Sequence, residues 1–189
     1  MRIAIAALMM LSVAVLPATA EELAERLAPC LACHGEKGQS ETPDVPSLGA
    51  QMAPYALIQI YLFREKQRVF DVMNEVTKGF SDDDLRQVSD FIAKLPPPVP
   101  ASDASDAARL ERGRALVEHY RCNICHRADL GGQENVPRLA AQREDYLVKT
   151  LRDYKSRARI GYDASMAEVL QPIGDAEIVD LAYFIARQR

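Results

Sequence analysis

The chain has 189 residues, a formal net charge of −4 and 48% hydrophobic residues, with four cysteines, three histidines and no tryptophan. That balance excludes a basic nucleic-acid binder. Beyond residue 20 no stretch approaches the ~20 apolar residues that span a bilayer.

The amino terminus reads as an export signal over residues 1–20. Arg2 supplies the positive charge, Ile3 to Leu16 the apolar run, and Ala18-Thr19-Ala20 the small-residue cleavage site before Glu21. Cleavage after Ala20 leaves a mature protein expected to be soluble and periplasmic. Its acid surplus lies in one half: residues 21–98 carry 13 acidic and 8 basic side chains, residues 99–189 carry 14 of each. An acidic half either steers a basic partner or is an ordinary solvated surface.

A short helix is expected from Glu21 to Ala28, stopped by Pro29. Cys30-Leu31-Ala32-Cys33-His34 follows, and Cys122-Asn123-Ile124-Cys125-His126 repeats it later. The two copies of C-x-x-C-H hold all four cysteines and two of the three histidines. This is the attachment signature of a c-type haem. Two thiols at this spacing can form thioethers with the vinyl groups of one haem, and the adjacent His34 or His126 can bind its iron.

The repeat extends beyond the motifs. Pro46-Ser47-Leu48-Gly49-Ala50-Gln51 precedes Pro137-Arg138-Leu139-Ala140-Ala141-Gln142 by 91 positions, and Tyr55, Lys66 and Arg68 match Tyr146, Arg157 and Arg159 in the same register. A helix is expected over Tyr55–Glu65 with Leu57, Ile58, Tyr61 and Leu62 on one face, and another over Tyr146–Tyr154 with Leu147, Thr150, Leu151 and Tyr154. Ser81 followed by Asp82-Asp83-Asp84 caps a helix through Leu85, Val88, Phe91, Ile92 and Leu95. The run Pro96-Pro97-Pro98-Val99-Pro100 then favours an extended, semi-rigid spacer. A helix from Ser105 or Asp106 to Tyr120 leads into the second motif, and Gly174-Asp175 opens a last helix with Ile178, Leu181, Ala182 and Ile185 inward. No strand is expected. The reading is all-α: a first unit over 21–95, a linker over 96–105 and a second unit over 106–189, each small enough to need a haem in its core.

The repeat nominates the sixth iron ligands. Met73 lies 39 residues after His34, and Met166 lies 40 after His126. A single methionine is ordinarily a flexible core filler, but two in equivalent places favour ligation. Met52 aligns with Arg143 and reads as packing, and His119, without a counterpart, as a helix-surface residue. Arg68 and Arg159 are matched basic positions, either paired with haem propionates or solvated.

On these residues the chain resembles the tandem dihaem class I cytochromes c of the cytochrome c4 type, over essentially the whole mature length. The marks, present twice, are C-x-x-C-H, P-x-L-x-x-Q with a tyrosine four residues on, a basic position, the methionine and a closing helix. The resemblance implies two cytochrome domains, each around one covalent haem c. It implies thioethers to Cys30, Cys33, Cys122 and Cys125, His34/Met73 and His126/Met166 as axial pairs, and periplasmic one-electron transfer. Arg127 departs from the pattern, standing where Gly35 follows His34.

The leading functional reading is an electron carrier between a respiratory donor and an oxidase or reductase. Expected partners are a quinol-oxidising complex, a terminal oxidase or a periplasmic dehydrogenase, with membrane association only through them. The alternatives are a cytochrome subunit of a dehydrogenase, or a dihaem enzyme acting as a peroxidase or on thiosulfate. Zinc binding or dithiol exchange would leave the adjacent histidines and matched methionines without a role.

Overall fold

The computed structural model describes residues 20–103, 106–159 and 164–189. The expected signal, Ala20 apart, lies outside the described residues, as do Ala104 and Ser105 of the expected linker. Among the described residues the secondary structure is helical, with one isolated bridge, Gln133 to Val136.

The first half comprises α1 (Ala20–His34), α2 (Ala53–Arg64), α3 (Asp71–Val76) and α4 (Asp82–Lys94). The second comprises α5 (Ala107–His119), α6 (Cys122–His126), α7 (Glu144–Lys155), α8 (Ser165–Val169) and α9 (Asp175–Ile185). Each half has an apolar cluster. Leu27, Ala56, Ile60, Leu85, Val88 and Ile92 form the first. The second is larger, with Leu147, Tyr154, Ile173, Ile178, Leu181 and Ile185 among its members.

Capping chemistry places the long helices. Ser81 Oγ accepts from Asp84 N at 3.1 Å while the Asp84 carboxylate accepts from Ser81 N at 2.8 Å, a capping box that starts α4. Asp106 caps α5 by accepting from Ala108 N and Arg109 N at 2.9 and 3.1 Å. Gly113 lets α5 approach α9 closely, since a Cβ there would stand 2.4 Å from both Asp180 O and Phe184 Cβ.

Two expectations change. The first helix does not stop at Pro29: α1 runs through it to His34. Proline lacks the N–H of one helical bond and crowds the preceding turn, but nothing prevents the chain after it from staying helical. On α2 the buried residues are Ala56, Gln59, Ile60, Leu62 and Phe63, whereas Tyr61 is exposed. Gln59 is drawn inward by arginine partners described below. The proline run, expected as a semi-rigid spacer, is hydrogen-bonded to both halves. Ala50 N donates to Leu95 O at 3.0 Å, the Gln39 amide bonds Val99 N and O at 3.1 and 3.3 Å, and Ala101 N donates to Ala186 O at 3.0 Å.

Candidate haem-binding sites

On α1 the spacing of Cys30, Cys33 and His34 puts all three on one helical face. α6 does the same for Cys122, Cys125 and His126. None of the four cysteines is in a disulfide, and the first of each pair is half-buried and the second exposed. Burial pushes the Cys30 and Cys122 thiols above their ordinary range.

Both histidines are buried, and each meets the proline carbonyl of its own half. His34 Nδ1 lies 2.8 Å from Pro46 O and His126 Nδ1 lies 2.9 Å from Pro137 O. A carbonyl only accepts, so Nδ1 carries the proton and Nε2 keeps its lone pair. Burial lowers both imidazoles below their usual value, the proline carbonyls acting the other way, which favours the neutral, ligating form.

The carbonyls are delivered by a loop that closes on itself. Leu48 N and Gly49 N both donate to Gly38 O, at 2.7 and 2.9 Å. In the second half Leu139 N and Ala140 N both donate to Leu130 O, at 2.8 and 3.0 Å. Gly38 and Leu130 share a left-handed conformation, φ +72° and +53°. Gly35 and Arg127 share another, φ +83° and +69°. The departure at Arg127 therefore leaves the turn intact, at the cost of strain that glycine avoids.

Met73 and Met166 are half-buried on the short helices α3 and α8. These helices were not legible in the sequence, being too short for a periodic apolar face. Met52 is half-buried just before α2, and His119 is exposed at the end of α5, edge-on to Tyr120.

Arg159 is buried and Arg68 half-buried. They lie between the halves among equivalent partners. Arg68 stacks on Phe63 and Arg159 on Tyr154, with guanidinium carbons 4.4 and 4.7 Å from the ring centroids. Arg68 donates to Gln59 Oε1 at 2.7 Å and to Tyr146 OH at 3.3 Å, across the interface. Arg159 donates to Tyr55 OH and Gln59 Oε1 of the other half at 2.9 and 3.0 Å, and to Tyr146 OH at 3.3 Å. Burial would raise the Tyr146 phenol, but Arg159 and Arg68 bring it down to about 7. Burial pushes Tyr154 up to about 12.

These features fit haem c. Each half offers two cysteines that form no disulfide and a neutral histidine with an open Nε2. Arg159 is 5% exposed, has no carboxylate partner among the described residues, and keeps an unpartnered Nε. A buried guanidinium in that state suits a propionate. Among the described residues no three His, Cys, Asp or Glu side chains gather as a metal site, so the cysteine pairs do not converge on a zinc cluster.

No protein-family model matches the chain. It is 27% identical over 168 residues to cytochrome c4 of Pseudomonas aeruginosa, covering 85% of this chain and 84% of the relative. It is 31% identical over 70 residues to cytochrome c-554(548) of Halomonas halodenitrificans, covering 35% of this chain and 84% of that protein. The chain belongs to the cytochromes c, and over most of its length it is similar to cytochromes c4. The crystal structure of reduced cytochrome c4 from Pseudomonas stutzeri superimposes with a TM-score of 0.79 at 22% identity, covering 92% of this chain and all of the other. A protein of Thiomonas intermedia named thiosulfate dehydrogenase electron acceptor is 27% identical over 171 residues, covering 85% of this chain and 79% of that protein. As a cytochrome c4-type protein the chain is a dihaem electron carrier with two covalently bound haems c.

Proposed function

We propose that this dihaem cytochrome works in the periplasm, taking up one electron at a time from a respiratory donor and passing it to an oxidase or reductase. Two units, 21–95 and 106–189, each hold one haem. Cys30 and Cys33 would tether the first and Cys122 and Cys125 the second, and His34 with Met73, and His126 with Met166, would bind the iron. Arg68 and Arg159 neutralise propionates at the interface. The observation that carries this reading is the duplicated buried histidine whose Nδ1 is committed to a proline carbonyl, beside two cysteines that form no disulfide. Each bound haem supplies a reversible one-electron iron couple. A methionine ligand raises its potential, and ligands on both faces keep substrates from the iron. The protein's own part is to fix the imidazoles, shield the iron from water and hold the propionate charge at the seam.

The test is the exported holo-protein, with two haems per chain by pyridine haemochrome and low-spin spectra in both oxidation states. A high-spin ferric band or rapid peroxide turnover would overturn the carrier reading in favour of an enzyme. The likeness to the Thiomonas acceptor favours one narrower role, receiving electrons from a thiosulfate-oxidising dehydrogenase. Reduction by such an enzyme with thiosulfate, compared with reduction by a quinol-oxidising complex, separates the donors. Among the described residues no helix is long and apolar enough to cross a membrane.

A further inference from the structure

The proline carbonyls that bind the two histidines belong to peptide groups held at their other end by the opposite half. The Pro46–Ser47 peptide accepts from His34 Nδ1 at 2.8 Å through its oxygen, and donates through Ser47 N to Gln142 Oε1 at 2.8 Å. The Pro137–Arg138 peptide accepts from His126 Nδ1 at 2.9 Å and donates through Arg138 N to Gln51 Oε1 at 2.8 Å. The returning amides complete the pairs: Gln142 Nε2 donates to Ser47 O at 2.8 Å and Gln51 Nε2 to Arg138 O at 3.1 Å.

The orientation of both side chains is fixed. Each Oε1 also accepts the next backbone N–H of its own chain segment, Arg143 N and Met52 N, both at 3.0 Å. A flipped amide would set donor against donor. His34, His126, Ser47, Gln51 and Gln142 are all buried. Ser47 and Arg138 are repeat equivalents, as are Gln51 and Gln142, so the arrangement occurs twice with the halves exchanged, as in an isologous dimer interface.

We propose that Gln142 and Gln51 are crossed positioning residues, each setting the electron-donating strength of the proximal histidine in the opposite half. The route is the conjugated amide. An acceptor on its N–H polarises the group and makes its carbonyl a better acceptor for the imidazole Nδ1–H, since linked hydrogen bonds strengthen one another. A histidine whose second nitrogen gives its proton to a stronger acceptor is a more basic ligand. That favours oxidised iron and lowers the potential. The glutamine of the P-x-L-x-x-Q motif thus acts on the haem of the other half, and its own haem is tuned in return.

This rests on His34 and His126 as iron ligands, and the experiment separates the two claims. In the full-length holo-protein, Gln142→Leu is expected to raise the midpoint potential of the haem on Cys30 and Cys33 and leave the other unmoved. Gln51→Leu is expected to do the reverse, with the waves assigned in a Met73→His background. The proton resonance of the crossed histidine Nδ1–H in the reduced protein shifts upfield in parallel. Gln142→Glu, which keeps an acceptor against Ser47 N, is expected not to raise the potential. It carries the test together with Gln51→Leu if Gln142→Leu fails to load haem. Equal movement of both potentials, movement of the same-half haem, or none would overturn the coupling, leaving the glutamines as staples only. If His34→Ala spares the first haem's spectrum, the ligand assignment itself falls. If it abolishes the low-spin form while the glutamine variants move nothing, only the crossed coupling falls.

Discussion

The two halves reach the same haem motif by different routes. In the first, one helix carries Cys30, Cys33 and His34 on an unbroken path through Pro29. In the second, α5 ends at His119, Arg121 takes a left-handed conformation (φ +56°), and the separate five-residue α6 carries the motif. Yet the histidine-to-proline distances agree, at 2.8 and 2.9 Å. The upstream helix therefore does not set the histidine. The downstream loop does, through its paired bonds to Gly38 O or Leu130 O. The halves also differ in what fills the strained turns. The first uses Gly35 and Gly38, the second Arg127 and Leu130. The second half carries more backbone strain and, in the cluster around α9, more apolar packing to hold it.

The largest effects should come from the proposed ligands, and each should stay within its own half. His34→Ala is expected to abolish the low-spin spectrum of one haem, and His126→Ala that of the other. Met73→Ala and Met166→Ala are each expected to lower one potential and leave the second, read by redox titration. A single substitution that disturbed both haems equally would break the picture of separately held sites.

Next in size are the turns. At Gly35 a Cβ would lie 2.0 Å from Gln39 O in a left-handed backbone. Gly35→Ala is expected to destabilise the first half by about 2–5 kcal/mol, the sum of strain and clash. Arg127→Gly is expected to do the opposite in the second half, releasing about 1–3 kcal/mol, because Arg127 (φ +69°, ψ +165°) sits in a region that is nearly glycine-only. Denaturant unfolding followed at each haem's absorption would show it. Gly113→Ala is expected to cost about 1–3 kcal/mol by forcing α5 away from α9, with the loss confined to the second half's transition.

The smallest effect is an acid one. Arg112 and Arg109 bonding Asp180 hold its carboxyl below the ordinary value of 3.8, against its partial burial. A depressed folded pKa stabilises above the unfolded value, and that stability is lost as pH falls through the folded pKa. Asp180→Asn is expected to flatten the second half's stability loss as pH falls from the unfolded value through the folded one. Asp84, held low in the first half by Ser81 and Arg26 against its burial, should keep the first half's slope unchanged.

Much of the site was legible because its chemistry is written in local spacing. C-x-x-C-H needs no tertiary information to nominate thiols and a ligand candidate, and the matched methionines were nominated by the repeat. The limits are equally physical. Pro29 looked like a helix stop because proline's cost falls on the turn before it, while the motif after it favours continuing the helix. Tyr61 was expected inward, yet Gln59 is buried instead. A polar side chain at that position gains hydrogen bonds from Arg68 and Arg159, 9 and 100 residues away. Arg68 and Arg159 were visible as a pair, but the burial of Arg159 was not, since it depends on how the halves meet.

The sequence by itself determined the duplication, the all-helical character, the attachment chemistry and the histidine ligand candidates, because each is encoded within a few residues or in the register of the repeat. Only the tertiary structure decided how the copies are joined. Gln51 and Gln142 each reach across to the backbone beside the other half's proline, and Tyr55, Tyr146, Arg68 and Arg159 meet in one hydrogen-bonded cluster. Those bonds link residues 87 to 104 positions apart in the chain, closer to 80 for Arg68 with Tyr146. Spacing along a chain specifies which groups a segment carries; which of them lose water together is settled only when two surfaces close.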